Sequence, residues 1–263
     1  MTLRTKPWPP GTPCWADLTV PDVPAAQAFY GAVLGWTCQP TADEFGGYTI
    51  AQVRDAAAAG IGPLPSPDVP TAWTLYLAAD DVDRVAESVA PNGGTLLLPP
   101  GDVGALGRMC IAADPGGAVF GVWQAGTHIG ASVTSEPGGL AWEDLRSTDP
   151  DAARAFYRAL FGFETTPLAE AGPDYHTFGF PGDPAPLGGM GGMFGAPAGT
   201  PSHWLPYFEV ADADVAVAAV AAAGGRVLTP VMETPYGRMA GVVDPFGAGF
   251  TVTQNTGQAV PER

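Results

Sequence analysis

The amino-acid sequence predicts an α+β protein built as two tandem copies of one domain, each copy made of two βαβββ modules. Three observations predict it. The first is a duplication: Trp15–Trp36 aligns without a gap on Trp142–Phe163, and 11 of the 22 positions are identical. Unrelated segments would share about two. The second is that the same signposts return in the same order. Trp73-Thr-Leu-Tyr76 matches Trp204-Leu-Pro-Tyr207, Gly93-Gly94 matches Gly224-Gly225, Gly107-Arg-Met109 matches Gly237-Arg-Met239, and Asp114-Pro-Gly-Gly117 matches Asp244-Pro-Phe-Gly247. The third is that the apolar spacing inside each copy switches between strand and helix periods, with turn residues at the switches.

Each element has a local cause. Trp15-Ala-Asp-Leu and Trp142-Glu-Asp-Leu read as short strands. Asp22 and Asp149 then stand where a helix N-cap belongs, and Pro150 follows at a position where its missing N–H costs nothing. Ala26, Phe29, Tyr30, Val33 and Leu34 recur at helical spacing, as do Ala153, Phe156, Tyr157, Leu160 and Phe161. Gly35 and Gly162 end these helices. A second helix per copy follows Asp81 and Asp212, carrying Val82, Val85, Ala86 and Val89, then Val217, Val220 and Ala221. The Asp-Pro-x-Gly segments are turns between strands, in the first copy between Met109–Ala113 and Val119–Trp123. The stretch from about Gly126 to Gly138 lacks apolar periodicity. The expected division is therefore a domain at 1–127, a linker at 128–138 and a domain at 139–263.

Composition narrows the function classes. Lys+Arg 11 against Asp+Glu 27 gives a formal charge of −16, which repels phosphate backbones and anionic lipid. Cys14, Cys38 and Cys110 are odd in number and widely spaced, which argues against a disulfide framework and for a reducing compartment. No apolar run approaches the roughly 20 residues of a membrane span, and Met1–Pro13 has no signal core. A cytoplasmic protein is expected.

A strand, a capped helix ending in Ala-x-x-Phe-Tyr-x-x-Leu-Gly, then Val-x-Asp-x-Asp, Gly-Gly, Gly-Arg and Asp-Pro-x-Gly resembles the glyoxalase/bleomycin-resistance (vicinal oxygen chelate) superfamily. The resemblance spans about 12–125 and 139–254. Trp-x-Asp-Leu, His-Trp-x-x-Tyr and Gly-Arg-Met are similar to a tandem two-domain branch that carries the label "hydroxylase". The resemblance implies paired βαβββ modules forming a cupped mixed sheet around a small-molecule site. It also implies that the two domains pack on each other, here in a monomer.

The resemblance further implies a divalent metal held by His, Gln or Glu on selected strands. Those positions fall on Trp15 and Trp142, on Thr74 and Leu205, and on Gly121 and Thr251. A divalent ion needs at least three donors, and none of these is a usual one. No cofactor is expected. A shifted site is the alternative: by strand parity Asp144 and His203 point inward together, although the first copy has Ala72 at the His position. His128 in the linker and His176 near a hairpin are not placed to join them.

What the parity does point inward is aromatic: Trp15, Tyr76 and Trp123 in the first copy, Trp142 and Tyr207 in the second. Such rings suit a planar organic ligand, with Asp17, Asp144 or His203 as polar anchors, unless the rings themselves fill the cups. Arg108 and Arg238 are candidates to pair a ligand carboxylate, or else cap turns. Gly188–Met193 fits no phosphate-loop context and reads as a flexible lip. The leading expectation is a metal-independent binding protein for a hydrophobic or aromatic metabolite or drug. The alternative is an enzyme of secondary metabolism, oxygenase-, hydroxylase-, lyase- or isomerase-like, with Asp144 and His203 catalytic. A weaker third reading is an interaction scaffold.

Overall fold

The computed structural model describes residues 3–255. The outer ends of both expected domains, 1–2 and 256–263, lie outside the described residues. In the first half, β1 (Pro13–Val20), α1 (Val23–Leu34), β2 (Thr37–Pro40), β3 (Thr49–Val53) and β4 (Ala56–Pro63) form one module. The next consists of β5 (Ala72–Ala78), α2 (Val82–Val89), β6 (Thr95–Val103), β7 (Gly107–Ala113) and β8 (Val119–Ala125). Their strands make one mixed sheet, ordered β2-β3-β4-β1-β5-β8-β7-β6, with β1 and β5 antiparallel at its centre.

The second half repeats this with β9 (Leu140–Arg146), α3 (Pro150–Phe161), β10 (Glu164–Pro167), β11 (His176–Gly179) and β12 (Gly188–Gly191). It continues with β13 (His203–Glu209), α4 (Ala213–Ala222), β14 (Arg226–Val227), β15 (Met232–Thr234), β16 (Gly237–Val243) and β17 (Gly249–Gln254). The strand expected after α4 is split. Leu228 and Thr229 both donate to the Gly241 carbonyl, and Pro230, which has no N–H for the ladder, separates β14 from β15.

The caps are as the sequence places them. Asp22 accepts from the Ala25 amide and Asp149 from the Ala152 amide, at 3.0 and 3.1 Å. Gly35 and Gly162 close the same helices at φ 71° and 74°, a region in which a side chain would be strained.

One face of each sheet carries the helices, and there the halves share a single core. Helix α1 lies on α4, and α2 on α3. Rings interlock across the seam: Trp36 and Trp73 both meet Phe208, with centroids 5.2 and 5.0 Å away, and Phe120 meets Phe156 at 5.8 Å. The Tyr30 hydroxyl donates to Asp244 of the other half at 3.0 Å, while the Asp244 carboxylate also accepts from its own turn at Phe246 and Ala248. Tyr157 sits reciprocally beside Asp114 and accepts from Trp204 at 2.9 Å; burial, then the Asp114 charge, raises its pKa. The opposite faces of the sheets point outward. Among the described residues no helix is long and apolar enough to cross a membrane.

Candidate ligand-binding site

The outward face of the second sheet is built around one carboxylate. Residues two apart on β9 share a face, so Trp142, Asp144 and Arg146 line up along it. Antiparallel pairing sets Tyr207 of β13 opposite Trp142. Asp144 is 2% exposed and is met by four donors. Tyr175 and Tyr207 donate at 2.7 Å each, Trp142 Nε1 at 2.9 Å, and Arg146 Nη2 at 2.6 Å. Arg146 also reaches the Tyr207 hydroxyl at 3.2 Å, and Trp142 the Tyr175 hydroxyl at 3.1 Å. Burial, followed by the Asp144 charge, pushes both phenols above their ordinary pKa, so they remain protonated donors. Burial alone would lower the Arg146 pKa, but Asp144 and the phenols outweigh it and raise it. The pair is a buried, charge-assisted clamp.

Above this network lies a cavity of about 930 Å³, at the upper end of the range for small-molecule sites. Trp142, Tyr175, Phe178, Phe180, Tyr207 and Tyr236 contribute its aromatic wall. Three glycines at 188–191 admit rings from elsewhere in the chain: Gly188 makes room for Phe178, Gly191 for Phe194, and Gly189 lets Tyr175 reach Asp144. They form β12, buried between β11 and β9, and a Cβ at Gly189 would collide with both the Tyr175 hydroxyl and Asp144. The segment is thus a sheet strand, not the flexible lip that its composition suggested.

The first half holds the same set without the cation. Tyr76 and Tyr48 donate to Asp17 at 3.0 and 3.3 Å, and Trp15 Nε1 donates to the Tyr48 hydroxyl at 2.9 Å. Gly60 makes room for Tyr48 as Gly189 does for Tyr175. Thr19 stands where the second half has Arg146. With burial unopposed by a cation, the Asp17 pKa is raised to about 7 despite its two tyrosine hydrogen bonds. This cup is filled. The stretch read as a bare linker folds into it: the His128 ring meets Trp15 and Trp123 edge-on, with centroids 4.6 and 5.6 Å away. Trp123 Nε1 donates to the His128 carbonyl, and Trp8 Nε1 to that of Ala131.

Of the expected site residues, Trp142, Asp144 and Tyr207 come together at the cavity, whereas Trp15, Asp17, Tyr76 and Trp123 gather in the filled cup. His203 does not pair with Asp144. Its Nδ1 lies 2.8 Å from the Pro201 carbonyl, and the partner of Asp144 is Arg146, two residues along the same strand. Arg108 and Arg238 stand away from the cavity wall, each tied to two carboxylates: Asp83 and Asp102, and Asp214 and Glu233. Sequence reasoning missed Arg146, Tyr48 and Tyr175. A signal existed for the tyrosines, because the shift that carries Trp15 onto Trp142 also carries Tyr48 onto Tyr175.

Two outward-facing sheets of paired βαβββ modules, one with an aromatic cavity over a clamped carboxylate, define a tandem α+β fold of glyoxalase type. The chain belongs to the Glyoxalase/Bleomycin resistance protein/Dioxygenase superfamily, whose pattern matches residues 14–122 and 136–252. A protein carrying the name glyoxylase CFP32 in Mycobacterium tuberculosis (strain CDC 1551 / Oshkosh) is 41% identical over 249 residues, covering 92% of this chain and 94% of that one. Anthracycline biosynthesis protein DnrV of Streptomyces peucetius is 36% identical over 263 residues, covering 93% and 94%. Among solved structures, the 2,3-dioxygenase LapB from Pseudomonas sp. KL28 shares the fold with a TM-score of 0.66 at 14% identity, covering 94% and 93%. The Mn(II)-bound glyoxalase from Novosphingobium aromaticivorans does so with a TM-score of 0.65 at 15% identity, covering 93% and 82%.

The residues here do not fit such a metal. Among the described residues no three His, Cys, Asp or Glu side chains gather in reach of one ion. The carboxylate at the centre of the network, Asp144, already has both oxygens engaged by four donors, one of them cationic. A divalent ion at Asp144 would have to displace Arg146, and the described residues offer no set of three ligands to hold it.

Proposed function

We propose that the second half binds one planar aromatic molecule per chain, without a metal, in the cavity floored by the Asp144 network. The contrast between the halves carries this reading. Both have the Trp–Asp–Tyr–Tyr set, but rings of the chain itself occupy one cup, and the other keeps about 930 Å³ of space beside its rings. A relative named for anthracycline biosynthesis supports a polycyclic ligand.

Titration with 2-(hydroxymethyl)anthraquinone, followed by tryptophan fluorescence, is expected to saturate at one molecule per chain. Trp142→Ala should weaken binding by roughly tenfold or more, as loss of a central aromatic contact does. Two equivalents bound, or an unchanged affinity in Trp142→Ala, would place the ligand elsewhere.

One observation favours an enzyme acting on such a compound: the Tyr207 phenol stands at the cavity wall between Asp144 and Arg146, a place where a proton can be held beside a ligand. Turnover lost in Tyr207→Phe, with ligand binding retained, would decide for that reading.

A further inference from the structure

The cavity wall is chemically lopsided. Among the described residues that line it there are six carboxylates, Asp144, Glu164, Glu170, Asp183, Glu209 and Glu233, against a single cation, Arg146. That cation is already engaged, 2.6 Å from Asp144. Glu233 is matched by Arg238 from outside the cavity, at 2.7 Å. Among the described residues no cation is paired with the other four. Among the described residues Glu170 accepts from the Tyr236 hydroxyl and Asp183 from the Ala185 amide, both neutral donors, while Glu209, 8% exposed, accepts from the Asn255 amide and is pushed by burial above its ordinary pKa. Glu164 stands exposed at the first residue of β10.

An anionic ligand entering this space meets repulsion from several sides, with no free guanidinium or ammonium among the described lining residues to receive it. A cation meets carboxylates together with the aromatic side chains of Trp142, Tyr175, Tyr207 and Tyr236 in the same lining, and both attract it. We propose that the occupant of this cavity is cationic: a planar aromatic molecule bearing an aliphatic amine, the ring system lying against the aromatic wall and the ammonium among Glu164, Glu170 and Asp183. The proposal rests on the cavity being a binding site, and it adds the charge of the ligand.

Three probes that share one ring system separate the two ideas: 2-(aminomethyl)anthraquinone, 2-(hydroxymethyl)anthraquinone and anthraquinone-2-carboxylate, titrated into the intact protein. The amine is expected to bind roughly tenfold tighter than the alcohol, and the carboxylate weakest, with the spread shrinking as salt is added. The triple variant Glu164→Gln, Glu170→Gln, Asp183→Asn should bring amine and alcohol to nearly equal affinity, although the chain keeps most of its −16 charge. An advantage of the amine that persists in this variant would belong to the overall charge of the protein, and the proposal would be wrong. Equal affinities in the unaltered protein, or the carboxylate binding best, would overturn the cationic assignment and leave the aromatic cavity standing. No saturable binding by any of the three would remove both.

Discussion

Asp144→Ala is expected to cost about 3 kcal/mol of stability and to abolish ligand binding in the second half. Burial of the carboxylate is nearly complete, and the Arg146 side chain is only 19% exposed. Removing the anion leaves a largely desolvated guanidinium together with two phenols and an indole that have lost their common acceptor. Breaking one side of a buried pair costs several kcal/mol, whereas replacing both partners with apolar groups is often close to neutral. The double variant Asp144→Leu, Arg146→Leu should therefore recover much of the loss in stability while ligand binding stays absent. Urea unfolding of the three proteins measures this directly. A loss below about 1 kcal/mol in Asp144→Ala would show that water reaches the network and that the clamp is weaker than its geometry.

The filled cup is expected to hide two opposed pH dependences. Burial raises the Asp17 pKa to about 7 from an ordinary 3.8. The folded protein thus keeps this proton where the unfolded chain releases it, and stability falls as pH rises from about 4 to 7. Burial lowers the His128 pKa to about 4 from 6.5. Here the folded protein refuses a proton that the unfolded chain accepts, so stability is lost as pH falls from 6.5 toward 4. Each group contributes at most about 1.4 kcal/mol per pH unit, with opposite sign, over nearly the same window. They largely cancel in the natural protein. Asp17→Asn should expose the histidine term as a gain in stability on the order of 3 kcal/mol, relative to the natural protein, between pH 4 and 6.5. His128→Gln should expose the aspartate term, with the opposite slope. Unfolding curves for the variants that run parallel to that of the natural protein across this range would refute both assignments.

The fold was legible because the duplication does the work of an alignment. Asp22 and Asp149, Gly35 and Gly162, and the two Asp-Pro-x-Gly turns each carry a local reason to be where they are, and each occurs twice. Strand parity likewise set Trp142, Asp144 and Tyr207 on one face. What stayed hidden depends on contacts distant in sequence. Arg146 reads as an ordinary exposed strand-end residue until the Asp144 carboxylate and the Tyr207 hydroxyl are seen beside it. Gly188–Gly191 looks like a flexible loop because the causes of its glycines, the approaches of Phe178, Tyr175 and Phe194, come from residues outside the segment. The segment around His128 shows no periodicity because it follows neither helix nor strand, yet Ala131 and Val133 are buried at 1% and 0% exposure. The Asp244 turn gives no hint that its carboxylate also takes a hydrogen bond from Tyr30 in the other half.

That last contact belongs to a seam with no boundary of its own, since Trp36, Trp73, Phe208 and Phe250 sit in one continuous interior. Heat should therefore find a single melting unit where the gene carries a repeat. A calorimetric scan is expected to give one endotherm, because neither half can lose its packing without baring the aromatic face of its twin. Two resolved endotherms would mean that the halves merely touch.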